Sequence, residues 1–279
     1  MKTAIFLDID GTLITNHFII PDSAKLAVRK ARENGHLIFI CTGRSKGQIF
    51  PEILEVGFDG IVGAAGGYVE VQQRVILHER VQKEDLKLII DFFNKQGIDF
   101  NLASNNGIFT NKNSNKRLSS FFEQQLEFIE AEVKANMEKG LKLFNDMIIV
   151  SEDLIRDDII GISFFGSEIP LDQIRQEFAS KFTVIPSTVS AFGENSGEIS
   201  LLGVNKATGI EKVINHFNIR KEDTFGFGDS WNDLEMLEYV QYGIAMGNAH
   251  DAVKRVANDV TDRHDENGIY NSFKKYGLI

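Results

Sequence analysis

The sequence predicts an α/β protein: a core of parallel strands with helices on both faces, interrupted by an inserted α+β module. Three observations predict it. Apolar runs alternate with amphipathic helical stretches at both ends of the chain, the pattern of a parallel sheet. Several of these runs stop at Asp, Thr or Gly, as buried strands do where they meet a ligand-binding edge. Between Thr42 and Lys206 the alternation is lost. That stretch far exceeds the ~30 residues of a βα unit, so an insertion is the economical explanation.

Taken in order, Thr3 to Leu7 is a short apolar run that ends in the polar, turn-prone Asp8-Ile9-Asp10-Gly11-Thr12. Pro21-Asp22-Ser23 opens a helix whose stripe is Ala24, Ala27, Val28 and Ala31, and Gly35 ends it. His36 to Cys41 is a second strand, followed by Thr42-Gly43-Arg44, and a third lies near Gly60 to Gly63. In the middle, Leu86, Ile89, Ile90 and Phe93 mark a helix, and Phe100–Ala103 and Gly107–Thr110 read as paired strands. Asn111 to Lys116 reads as a polar loop, Phe121 to Met137 as a helix, Ile159 to Phe164 as a strand and Leu171 to Phe182 as a helix. Strict alternation then returns: helix from Lys206 to Phe217, strand Thr224–Gly228, helix through Leu234, Leu237 and Val240, strand Tyr242–Met246, helix from Asp251 to Ala257, and a last short strand at Asp259–Thr261. The expected division is a core of residues 1–82 and 194–279 around an insert of 83–193.

Composition sets further bounds. The 279 residues are 43% hydrophobic and 25% charged, an ordinary globular balance. The 22 Phe read as core filler. A formal net charge of −10 argues against general binding to nucleic acid or an anionic membrane. The single Cys41 excludes an intramolecular disulfide and a cysteine-based zinc cluster. No apolar run is long enough for a signal peptide or a membrane span, so a cytoplasmic protein is expected.

Four polar clusters stand at strand ends or helix starts. Asp8 and Asp10 flank a residue at a strand exit, and Gly11 lets backbone amides approach an anion. One carboxylate could serve as nucleophile and metal ligand and the other as acid/base, unless the pair only forms an Asx turn. Thr42 and Gly43 offer a hydroxyl and free amides as a phosphate seat, or mere strand-to-helix punctuation. Lys206 opens a helix, where a cation opposes the dipole and needs an anionic partner unless it is a plain surface lysine. Gly228 to Asp233 places Asp229 and Asp233 one helical turn apart; facing Asp8 they would hold Mg²⁺, and otherwise they form an N-cap box.

Together and in this order the clusters resemble the haloacid dehalogenase superfamily. The match is Asp8-Ile9-Asp10-Gly11-Thr12, Thr42 in the form Thr-Gly-Arg, Lys206 in Asn-Lys-Ala-Thr-Gly, and Gly228 to Asp233. Ala245 to Ala249, Val260-Thr261 and Glu266 to Ile269 are similar to the tail of its Cof-type branch. One departure is Ala65-Gly66-Gly67-Tyr68, where that branch commonly has Asn-Gly. The resemblance implies a Rossmann-like core with an inserted cap that governs specificity. It also implies a Mg²⁺-dependent phosphatase acting on a small phosphorylated metabolite, a sugar phosphate or similar phosphomonoester. Asp8 would attack phosphorus and form an aspartyl-phosphate, and Asp10 would protonate the leaving alkoxide and then activate water. Asp8, the Asp10 carbonyl and Asp229 would hold Mg²⁺, and Asp233 would steady it. Gly11, Thr42, Gly43 and Lys206 would seat the phosphoryl oxygens, and Asn232 would orient the substrate phosphate.

Two alternatives share this constellation. A phosphomutase or phosphotransferase would pass the phosphoryl group to a sugar rather than to water. A receiver-like signalling domain would carry a phospho-Asp beside Mg²⁺ without turnover. Asp10 opposes the latter, since an acid/base two residues from the nucleophile speeds loss of the phosphoryl group.

Overall fold

The computed structural model describes residues 2–15, 17–126, 131–187 and 192–279. Two compact units emerge. The first comprises Met1–Gly43, Ile49–His78 and Val204–Ile279, and the second Arg44–Gln48 with Glu79–Gly203.

The first unit opens with β1 (Ala4–Leu7), α1 (Asp22–Glu33), β2 (Leu37–Cys41), α2 (Pro51–Leu54), β3 (Gly60–Gly63), β4 (Tyr68–Val71) and β5 (Arg74–His78). The second holds α3 (Lys83–Gln96), β6 (Asp99–Ser104), β7 (Gly107–Thr110), α4 (Lys112–Leu126), α5 (Ala131–Asp146), β8 (Ile148–Val150), β9 (Ile159–Phe165), α6 (Leu171–Phe178), β10 (Phe182–Pro186) and β11 (Gly197–Leu201). The first then resumes with α7 (Lys206–Phe217), β12 (Thr224–Gly228), α8 (Leu234–Tyr239), β13 (Tyr242–Ala245), α9 (Asp251–Val256), β14 (Asp259–Val260) and α10 (Gly268–Lys275).

The sheet of the first unit runs β14-β13-β12-β1-β2-β3-β4-β5. It is parallel from β14 to β3, and the β4–β5 hairpin adds antiparallel strands at the edge. Strand alternation explains the two helical layers. Ala4, Phe6, Phe39 and Cys41 pack with Ile210, Val213 and Ile214 of α7 and Met236 and Leu237 of α8. Ile5, Leu7, Ile38 and Ile40 point the other way and are equally buried. Phe6 and Phe39 stack at 5.2 Å between ring centroids. Each such buried side chain contributes about 1.5–3 kcal/mol.

The second unit is a six-stranded sheet, β10-β11-β9-β6-β7-β8. Its core joins the stripe of α3 (Leu86, Ile89, Ile90, Phe93) to Phe100, Leu102, Phe164 and Phe178.

The structure departs from the sequence reading in several places. The return to the first unit falls near Val204 rather than at residue 194, because β11 is hydrogen-bonded between β10 and β9. Asn111–Lys116 is not a loop beyond Asn111: α4 begins at Lys112, the Asn111 Oδ1 accepts the Ser114 N–H at 2.8 Å, and Ser114 Oγ donates to buried Asp99 at 2.8 Å. Of the helix expected over Phe121–Met137, residues 121–126 lie in α4 and 131–137 in α5, and 127–130 lie outside the described residues. The helix expected to reach Phe182 stops at Phe178, and Phe182 opens β10. Residues 44–48 belong with the insert. Ser45 Oγ donates to the Ser104 carbonyl at 2.8 Å, and the Lys46 N–H donates to Asn105 Oδ1 at 3.1 Å. Gly47 fits so closely that a Cβ there would stand 2.7 Å from the Asn105 carbonyl oxygen. Among the described residues no helix is long and apolar enough to cross a membrane.

Candidate active site

The site of the first unit is built at the carboxyl ends of its parallel strands, where open α/β sheets bind ligands. Asp8 and Thr42 each come just after the last residue of their strand. The Asp8 N–H donates to the Phe227 carbonyl at 3.0 Å, and the Thr42 N–H to Val62 at 2.8 Å. These bonds fix the backbone and leave the side chains at the sheet edge.

Lys206 is the first residue of α7 and is fully buried. Asn205 caps that helix, accepting the Thr208 N–H at 3.0 Å. The Lys206 ammonium donates to Asp8 Oδ1 at 2.6 Å and to Asp233 Oδ1 at 2.5 Å. Burial alone would lower its pKa, but Asp233 and then Asp8 outweigh that and hold it above the ordinary lysine range. These two carboxylates are the anionic partners that a cation at a helix start requires.

The Asp233 carboxylate has a second task. Its Oδ2 accepts the N–H groups of Asp229 at 2.9 Å and Ser230 at 3.0 Å, which shapes the turn after β12. That turn sets Asp229 toward Asp8. Ligand oxygens of Asp8, Asp229 and Asp233 all lie within 4.8 Å of one another. Burial raises the Asp8 pKa well above normal; Lys206 offsets part of this, and Asp233, Asp229 and Asp10 add to it. Burial and the charge of Asp233 push Asp229 up to about 7. With four carboxylates around one ammonium, the cluster is short of positive charge. A hard divalent cation fits this donor set, since oxygen ligands are what Mg²⁺ selects.

Gly11 allows the loop after Asp8 to reach Asp229. Its φ is +77°, and a Cβ would lie 2.2 Å from Asp229 Oδ2, so only glycine fits. Asp10 is solvent-exposed beside this cluster, close enough that its charge raises the pKa values of both Asp8 and Asp229. Thr42 is buried at the end of β2, next to β1 in the sheet, and Gly43 follows it. Its carbonyl accepts the Ala65 N–H at 3.0 Å. Ala64 and Ala65 hold φ values of 49° and 51°, a left-handed pair that L-residues adopt at a cost of about 1–2 kcal/mol each. Such strain gathers at functional sites. Asn232, in the turn between Asp229 and Asp233, has a buried side-chain oxygen with no hydrogen-bond partner.

Two further motif residues, Thr12 and Asn248, join the site. Thr12 donates its hydroxyl to Asp229 Oδ1 at 3.3 Å. Asn248 reaches Gly11 and Asp229 from the loop after β13. Their signal was the motif itself; Thr12 is 217 positions from Asp229 and Asn248 is 237 from Gly11, separations at which spacing gives no pairing.

The sequence profile of the haloacid dehalogenase-like hydrolases matches residues 5–273. Phosphatase YwpJ of Bacillus subtilis is 25% identical over 284 residues, spanning 97% of this chain and 98% of its own. The same organism's 5-amino-6-(5-phospho-D-ribitylamino)uracil phosphatase YitU is 26% identical over 279 residues, spanning 98% of this chain and 96% of its own. Among solved structures, the subclass IIB sugar phosphatase BT4131 superposes with a TM-score of 0.77 at 27% identity over 100% of both chains. The phosphatase BT1666 from Bacteroides thetaiotaomicron gives 0.80 at 25% identity over 100% of this chain and 96% of its own.

Proposed function

We propose, from the premise that this chain belongs to the haloacid dehalogenase-like hydrolase family, that it is a Mg²⁺-dependent phosphatase working through a phosphoryl-aspartate on Asp8. The chain is a phosphoric monoester hydrolase of that family, as its full-length relatives are. The observation that carries the mechanism is the buried Lys206 ammonium bonded to Asp8 at 2.6 Å within a cluster that lacks positive charge.

Asp8 attacks phosphorus, and the bond from phosphorus to the leaving alkoxide breaks. Asp10 gives its proton to that alkoxide. In the second half, Asp10 takes a proton from water as the water oxygen attacks phosphorus, and the Asp8–phosphoryl bond breaks to release inorganic phosphate. Bound Mg²⁺ supplies positive charge against the phosphoryl oxygens. Asp8, the Asp10 carbonyl and Asp229 would hold it, and Asp233, which fixes Lys206, would steady it. Lys206, Gly11, Thr42 and Gly43 seat the phosphoryl oxygens, and the unpartnered Asn232 oxygen faces the substrate. Phosphoryl transfer asks mainly for such positioning and charge neutralisation.

The substrate is a small phosphorylated metabolite. YitU acts on a phosphorylated ribitylamino compound and BT4131 on sugar phosphates, so a phosphate ester on a hydroxylated carbon chain is the common class. The second unit, residues 44–48 and 79–203, is the specificity-determining cap of this reading. An acidic chain with one buried cysteine suits the reducing cytoplasm.

Acid quenching during turnover of a labelled aryl phosphate tests this. The label should appear on the peptide carrying Asp8 only when Mg²⁺ is present. Turnover without covalent label, or after exhaustive chelation, would overturn the reading.

A further inference from the structure

The loop after β13 carries a motif, Gly247-Asn248-Ala249, that the mechanism above does not use. Its backbone is held firmly. The Gly247 N–H donates to the Asp262 carbonyl at 3.1 Å, and Lys254 Nζ donates to the Gly247 carbonyl at 2.7 Å. The His264 N–H donates to Asn248 Oδ1 at 3.1 Å. An oxygen facing that donor means the amide nitrogen must face the other way. There it donates to the Gly11 carbonyl at 2.8 Å and approaches Asp229 Oδ2 at 3.4 Å.

Asn248 therefore touches both the turn after Asp10 and the Asp229 carboxylate. Gly11 is the turn that follows Asp10, and Asp229 is the carboxylate delivered by β12. Thr12 serves one oxygen of Asp229 and Asn248 the other, so two neutral donors fix the carboxylate in one rotamer. Neutral donors hold it without replacing a cation, since each carboxylate oxygen keeps a second lone pair.

We propose that Asn248 is the positioning residue for the cation site: its amide, oriented by the His264 backbone, sets the Asp229 carboxylate against the Asp10–Gly11 turn so that the two receive Mg²⁺ together. This rests on the metal reading above. It adds that the site's affinity for Mg²⁺ depends on a side chain that does not itself touch the cation. Partners that orient metal ligands in this way typically change metal affinity by about 10–100-fold when removed.

The test needs no turnover. Trp231, the chain's single tryptophan, lies two residues from Asp229 and reports on the site by fluorescence. Mg²⁺ is titrated into the metal-free protein without substrate, and the shift in melting temperature is recorded as a second readout. In Asn248→Leu the half-saturating Mg²⁺ concentration should rise about tenfold or more. Inhibition by inorganic phosphate at saturating Mg²⁺ should change by less than about twofold, because Lys206, Thr42 and Gly43 are not touched and Asn248 bonds the Gly11 carbonyl rather than its N–H. If Asn248→Leu fails to fold, Asn248→Ser, which leaves room for water at the His264 N–H, is read in the same way. Half-saturation unchanged within about twofold overturns the proposal, as does phosphate inhibition that weakens in step with metal binding. No Mg²⁺ response by either readout in the unaltered protein overturns the metal reading itself, and this proposal with it.

Discussion

Lys206 Nζ lies 2.5 Å from Asp233 Oδ1, and neither side chain has any solvent exposure. A buried charge pair of this kind is held less by its own attraction than by the cost of removing either member.

Lys206→Ala should therefore damage both stability and turnover. The unpaired Asp8 and Asp233 carboxylates should cost about 3–5 kcal/mol, measured by denaturant unfolding without metal. Turnover should fall on the order of 10²–10³-fold, as expected for loss of a main donor to the transferring group. Unchanged kinetics would move the phosphate seat elsewhere.

The metal-free protein should lose stability as pH rises from about 4 to about 7. Asp229 is raised to about 7 against an ordinary 3.8, and Asp8 is also raised. Over that window the folded chain binds more protons than the unfolded one, so unfolding free energy falls with pH. Bound Mg²⁺ must displace those protons, so its stabilising effect should be larger at pH 8 than at pH 5. Melting curves with and without Mg²⁺ at the two values measure it; an equal shift at both counts against the raised carboxylates.

Asp10→Asn should cut turnover on the order of 10²–10⁴-fold, the usual worth of a positioned acid/base. With a good leaving group the first step needs no proton, so phosphoenzyme should accumulate in a quenched sample. Residual turnover with no accumulation would remove Asp10 from the second step.

Ala65→Gly should stabilise the fold by about 1 kcal/mol, since glycine holds a positive φ without the cost an L-residue carries. Thermal unfolding should shift upward by about 2–4 °C. No shift would mean that the strain at Ala64 and Ala65 is relieved by neighbours.

The parallel sheet, its strand-end motifs and the stripes of α1, α3 and α7 were legible because each is a local pattern. What makes the site work is not local. Asp8 meets Lys206 across 198 positions and Thr12 meets Asp229 across 217, and only the order of motifs suggested they converge. The β4–β5 hairpin was missed because its turn uses Gln72 and Gln73 at positive φ, residues that carry no turn signature. β10 and β11 were missed because strand pairing, not composition, defines them. The polar run at Asn111 hid a helix start, since Asn and Ser favour caps as readily as loops.

The grouping of Arg44–Gln48 with the insert bears on how relatives of this chain can exchange parts. A chimaera made by swapping residues 79–203 alone would set a foreign hairpin against the native Ser45 and Gly47, where the fit leaves no room even for a methyl group. The unit to be transplanted is thus two-piece, and a chimaera that keeps it intact must carry the pentapeptide along with the longer segment.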